Sequence, residues 1–257
     1  MLGGDLRLNL GASSDLLAVT GAATFTSAST VTPTFSAPPA LGPVTLLTTS
    51  ALTLTTAPSL ALPANTRSTF ALTNTATALQ LSITGAAAQT LAWSGTASGV
   101  WDINTTFNFN AGAEKFFTFD GVTFGDGPAN RTVTLAAGLT PSNVAVNNSA
   151  GNDYTFQTGT LNGSMALTKA GSGALNLNTA NAFDGAVTVT GGTLKAGNAA
   201  ALGSINGQTF VSGGGTLDVG VRISGPSGST SPARAWAETA RSSTPARRRC
   251  WPRASSR

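Results

Sequence analysis

The sequence predicts an all-β protein assembled from short stacked coils, and three observations carry that prediction. Charged residues make up only 9% of the chain, against a usual share of about 25%, too few Glu and Lys to write the solvent faces of helices. Thr, Ser and Asn take their place, residues that suit strands and turns and form helices poorly. Short apolar pairs at i and i+2, the period of a strand with one buried face, alternate with glycine turns. Hydrophobic residues reach 41%, enough to exclude a chain disordered throughout.

From the N-terminus, strands are expected around Leu16–Val19, Val44–Leu47, Leu52–Leu54, Phe70–Leu72 and Leu79–Ile83. Pro33, Pro38, Pro39, Pro43, Pro58 and Pro63 fall at edges and connections, because proline gives no donor to a central ladder. Residues 1–90 therefore read as strand-rich chain continuing a solenoid. Residues 91–150 differ, because Trp93, Trp101 and Phe107, Phe109, Phe116, Phe117, Phe119 and Phe124 gather there. This stretch is expected to be an aromatic-rich junction.

Residues 151–221 give the clearest pattern. Tyr154/Phe156, Met165/Leu167, Leu175/Leu177 and Val187/Val189 alternate, with Asn162-Gly163, Gly171-Ser172-Gly173, Asp184-Gly185 and Gly191-Gly192 as turns between them. Strands so short do not stand alone as hairpins in water. Gly192-Thr193-Leu194 recurs as Gly215-Thr216-Leu217, 23 residues on, within the roughly 20–30-residue period of a β-solenoid. On periodicity alone, a β-sandwich with irregular hairpins stays open as the alternative.

Near residue 222 this pattern ends. Residues 1–221 hold six Lys/Arg and nine Asp/Glu, a net charge of −3, whereas residues 222–257 hold eight Arg and only Glu238, a net +7. The segment is rich in Arg, Ser, Pro and Ala, with Trp236, Trp251 and the lone Cys250. It has too little apolar content to offset the cost of ordering it and is expected to be a disordered basic tail. Three readings apply to it: contact with nucleic acid or another acidic surface, a linker, or translation out of frame. The last fits the abrupt change inside a repeat. The basic pI belongs to this tail alone, so no nucleic-acid partner is expected for the body.

The stretch from Leu167 to Ser204 resembles the autotransporter-associated β-strand repeat. Lys169, Gly171, Gly173, Leu175, Leu177, Asn181, Phe183, Gly185, Gly192, Leu194, Leu202 and Gly203 occupy the positions of that motif; Ala186 departs from its usual Gly or Thr. Asp15-Leu16-Leu17-Ala18-Val19-Thr20-Gly21 and Trp101-Asp102-Ile103-Asn104-Thr105-Thr106 with Asn108 resemble segments between such repeats, Phe109 standing where a Trp is usual. The resemblance covers about residues 5–221. It implies a right-handed parallel β-helix from the passenger of a bacterial autotransporter. It further implies a place at the cell surface or outside the cell, with association with the outer membrane only through a barrel. It implies no particular ligand, because such repeats are scaffolds in proteins of varied role. A structural or adhesive role is expected, and a non-catalytic one because histidine is missing and carboxylates are sparse. Asp5 and Arg7 interrupt any export leader, and no barrel of alternating strands follows. The chain thus reads as an internal piece of a longer protein or a truncated product.

The chemistry available is sparse. Without histidine, Ser-His-Asp catalysis is excluded, and no cysteine metal site exists in the body. Asp120 and Asp126, six apart, are the candidate calcium ligands or acid/base pair, or else plain turn residues. They keep alive one alternative, a carbohydrate-active, lyase-like or glycan-binding β-helix. The aromatic stretch is either a sugar-stacking platform or a buried plug. Asn104, Asn130, Asn147 and Asn162 lie in Asn-x-Ser/Thr and read as turn or ladder residues. Gly213-Gly214-Gly215 reads as a turn, not a phosphate cradle, since no helix follows. No catalytic residue, cofactor or resident metal is expected, and the expected partner is a glycan or a host or neighbouring cell surface.

Overall fold

A computed structural model describes residues 2–11 and 14–220, apart from the side chains of Leu2 and Ser27. The basic tail, with Cys250, Trp236 and Trp251, lies outside the described residues. The described chain is all-β, interrupted by one 3-10 turn, Asn110–Gly112.

The first strands are β1 (Leu2–Leu10), β2 (Leu17–Ala18), β3 (Ala22–Phe35), β4 (Gly42–Thr48), β5 (Ala51–Leu54) and β6 (Ser59–Leu60), followed by β7 (Ser68–Asn74) and β8 (Ala78–Gly85). β3 lies between β1 and the pair β5 and β6, all parallel. β2 pairs with β4 in parallel, but β4–β8 and β8–β7 are antiparallel. These strands enclose their own core around Phe25, Val31, Leu46, Leu47, Leu79 and Leu81. Residues 1–90 thus begin with parallel stacking but end in an antiparallel hairpin with separate sheets. The three residues between β7 and β8 make an antiparallel return the available geometry, since a parallel crossover needs a dozen or more residues.

Six regular coils follow among the described residues. They consist of β9 (Thr90–Ala92) with β10 (Val100–Trp101), β11 (Gly121–Phe124) with β12 (Thr132–Leu135), and β13 (Asn143–Asn147) with β14 (Tyr154–Thr158). The last three are β15 (Ala166–Ala170) with β16 (Ala174–Leu177), β17 (Val187–Val189) with β18 (Thr193–Ala196), and β19 (Thr209–Val211) with β20 (Thr216–Asp218). The odd strands form one parallel six-stranded sheet and the even strands the other. The fold is therefore a parallel β-solenoid, each strand pairing with its counterpart one coil away.

Register explains the alternation read from the sequence. Leu91, Val122, Val144, Leu167 and Val187 align in one inward row, and Tyr154, Leu175, Leu194 and Leu217 in another. Met165, Leu167, Leu175, Leu177, Val187, Val189 and Leu194 are buried, while Leu217 in the last coil is half-buried. Thr193-Leu194 pairs with Thr216-Leu217, so the 23-residue recurrence is one coil.

Residues 91–150 belong to the same ladders, which run from β9 to β20 without a break at 150. Their aromatic content changes what fills the coils, not how the coils pair. Trp93, Trp101, Phe109, Phe116, Phe124, Tyr154 and Phe156 are buried together. The Trp101 ring meets Phe116 at 5.3 Å and 83°, and Phe124 meets Phe156 at 4.9 Å. Such ring pairs add to simple area burial. This cluster is a plug, not a platform open to sugars.

Candidate functional site

The two candidate acids are not brought together. Asp120, just before β11, is fully buried, whereas Asp126 lies at an exposed turn. Asp120 receives Arg67 Nε at 2.8 and 3.0 Å on its two oxygens, the Gln89 amide at 2.9 Å and the Phe117 amide at 3.0 Å. Those donors occupy both oxygens, and a guanidinium stands where a cation would have to sit. Arg67 also reaches Glu114 at 3.3 Å and lies 4.6 Å over the Phe117 ring. Burial pulls the Arg67 pKa down, but the hydrogen bonds and charges of Asp120 and Glu114 outweigh it and hold the group above its ordinary value.

Asp126 accepts the Ser149 amide and hydroxyl, each at 2.7 Å, from the next coil. The Ser149 amide first, then its hydroxyl, hold the Asp126 carboxyl below the usual range. Both acids therefore act as acceptors that fasten backbone, Asp120 across segments and Asp126 across coils. Among the described residues, no three His, Cys, Asp or Glu side chains gather as a metal site.

Lys169 occupies an inward row between Val146 and Val189 and is fully buried. Alternation alone marks the position as internal, and the residue type gives no sign of how its charge is met. Its ammonium donates to Ala170 O, to Gly171 O at 3.2 Å and to Gly191 O at 3.4 Å. The side chain thus crosses to a glycine corner and ties its own coil to the next. Burial holds the amine below its ordinary pKa.

The asparagine motifs are divided in role. Asn130 donates to Gly95 O, Asn104 sits at an exposed turn with φ 51°, and Asn147 is exposed on β13. Asn162 is half-buried at a corner. Gly213 and Gly214 both have positive φ and form the turn into β20.

One feature has no counterpart in the sequence reading. A crevice of about 370 Å³ opens where the end of β3, Thr32–Phe35, and residues 61–63 face Thr118, Phe119 and Thr140 of the first coils. Phe119 has φ 75°, a left-handed conformation that costs a bulky residue about 1–3 kcal/mol. The surroundings enforce it. Its amide donates to Thr140 O at 2.9 Å, the Asp120 amide donates to Phe117 O at 3.0 Å, and the Phe35 ring meets its ring edge-on at 5.8 Å. In the sequence Phe119 is indistinguishable from the other phenylalanines of the aromatic stretch.

Comparison with known proteins agrees with this architecture. Residues 167–196 match the family model of the passenger-associated-transport-repeat, a span that runs from β15 to the end of β18 and so holds one whole coil and the two strands of the next. The chain is also similar to a protein named Adhesin BmaC autotransporter from Brucella suis biovar 1 (strain 1330). The two are 33% identical over 111 residues, which is 43% of this chain and 3% of that relative. No solved structure matches.

Proposed function

We propose that this chain, a carrier of the autotransporter passenger repeat, serves as a non-catalytic scaffold with adhesive capacity on the bacterial surface. The observation that carries the reading is that the family match at 167–196 falls on the paired strands of two successive coils, β15 to β18. The repeat is the structural unit itself, and stacking such units lengthens a rod without requiring any active centre. The named adhesin among similar proteins supports the adhesive part. Asp120 and Asp126, each engaged by its own neighbours, give no support to paired acid/base chemistry.

The test is surface display. The full chain, fused between an export leader and an autotransporter barrel in a laboratory bacterium, should appear on intact cells as protease-accessible protein and raise attachment to glycan-coated or cell-coated plates. Failure to reach the surface, or display without any gain in attachment, would remove the corresponding part of the proposal. A parallel screen on pectin, alginate and neutral glycans with added calcium should show no turnover. Turnover lost in Asp120→Asn or Asp126→Asn would replace the scaffold by a lyase-like enzyme.

A further inference from the structure

We infer that the crevice between the end of β3 and the first solenoid coils binds a neutral saccharide. The inference deepens the adhesive reading, on which its biological setting rests, while the binding itself is measurable on the isolated chain. At about 370 Å³ the crevice lies within the roughly 300–1,000 Å³ range of small-ligand sites. None of its lining residues is ionisable, so it offers nothing to a polyanion or a cation. What it offers is the half-buried Phe35 ring for the apolar face of a sugar, backed edge-on by Phe119, which is only 7% exposed, with threonine hydroxyls around them. Thr118 and Thr140 already donate, to Ala64 O and Gly138 O, which leaves their oxygen lone pairs to accept from sugar hydroxyls.

The β3 edge supplies a further acceptor. Val31 O accepts the Ala61 amide at 2.9 Å, and the β3–β6 ladder stops there, at Val31↔Leu60. By strand alternation, Pro33 O faces the same side two residues later, at the crevice. Proline has no N–H, so this edge accepts but does not donate at that position. An added peptide strand needs both, and a hydroxyl-rich saccharide needs only the acceptor. At this wall the fold holds the Phe119 ring in a left-handed conformation, φ 75°, that glycine would adopt without strain.

The test uses the full chain with maltopentaose, cellopentaose, laminaripentaose and a mannan oligosaccharide, and with polygalacturonate and alginate as anionic controls, read by saturation-transfer NMR and calorimetry. At least one neutral oligosaccharide should bind. Phe119→Gly, which removes the ring and relaxes the backbone, should weaken it by about tenfold or more. Thr140→Val, nearly isosteric, should weaken it while leaving the circular dichroism spectrum unchanged. Phe107→Ala, at an exposed ring outside the crevice, should not alter it. The inference is overturned if no neutral oligosaccharide binds, if only the polyanions do, or if both crevice variants bind within about twofold of the parent. Cells displaying Phe119→Gly that still attach like the parent would sink the crevice and leave the adhesive reading standing. Binding in solution without attachment on display would do the reverse.

Discussion

Arg67 and Asp120, 53 residues apart in sequence, form a buried pair in which one Nε lies 2.8 and 3.0 Å from the two carboxylate oxygens. Arg67 stands just before β7 and Asp120 just before β11, so the pair fastens the N-terminal strands to the solenoid. Glu114 shares the guanidinium from the rim, at 3.3 Å and about one-third exposed.

Replacing Asp120 by Asn should destabilise the protein by roughly 3–5 kcal/mol, the usual cost of stranding one partner of a buried pair. Every oxygen of Asp120 faces an N–H, so either orientation of the amide sets a donor against a donor. Glu114→Gln should cost less than about 1 kcal/mol, because that partner is wet. Urea unfolding of both variants checks the order, and equal losses would show that the pair is not the fastening.

Leu194 is fully buried, between Leu175 and Leu217 in its row. Leu194→Asp should cost several kcal/mol, at least the roughly 2–7 kcal/mol of an unpaired buried polar group, since a charge is worse. The thermal transition reads it directly, and a variant that melts with the parent would place the side chain at the surface.

At the glycine corners, Gly192→Ala should be far more damaging than Gly214→Ala. Both residues have positive φ, but a Cβ on Gly192 would fall 2.2 Å from Gly173 O and 2.5 Å from Gly171 O, while one on Gly214 meets nothing within 4 Å. Backbone carbonyls cannot retreat without breaking the ladder. The Gly214 change should cost about 1 kcal/mol of backbone strain, and the Gly192 change clearly more. Comparable midpoints in chemical denaturation would contradict this.

Tyr154 should give the protein a distinct alkaline weakness. Burial first of all raises its pKa from 10.0 to about 12, and its hydroxyl donates to Gly125 O at 2.6 Å. The fold holds the neutral form, so this contribution is fully present below pH 10 and is lost as pH rises from 10 to about 12. At about 1.4 kcal/mol per unit, the loss is about 2–3 kcal/mol. Tyr154→Phe should flatten that slope. It is the chain's one tyrosine, so tyrosinate absorbance reports it alone. A folded-state midpoint near that of the urea-unfolded chain would refute the assignment.

The legible parts of this protein are those recorded locally. The i, i+2 pairs from Tyr154 to Val189 already mark buried strand faces, and the recurrence of Thr193-Leu194 as Thr216-Leu217 is the spacing that the ladder makes one coil. A strand writes its buried face into every second residue, and a solenoid repeats that strand at a fixed interval. For the same reason the resemblance was strongest where the coils are most regular. The alternation at Leu79–Ile83 reads just as well, yet nothing in it says that β8 runs antiparallel between β4 and β7.

The amino-acid sequence by itself determined that the chain is all-β, which faces are apolar, and that a strand-and-turn unit recurs after 23 residues, while a β-sandwich stayed open beside stacked coils. Only the tertiary structure decided where polar groups go once those faces close. Asp120 and Asp126 share a spacing but not a surface, because burial beside Arg67 depends on a segment 53 residues away. Lys169 is accommodated inside because the Gly171 and Gly191 carbonyls of two successive coils converge on its amine. Phe119 leaves the aromatic plug for the crevice because its backbone is forced into a left-handed turn. Alternation is a property of one strand, whereas these outcomes depend on which distant edge meets it.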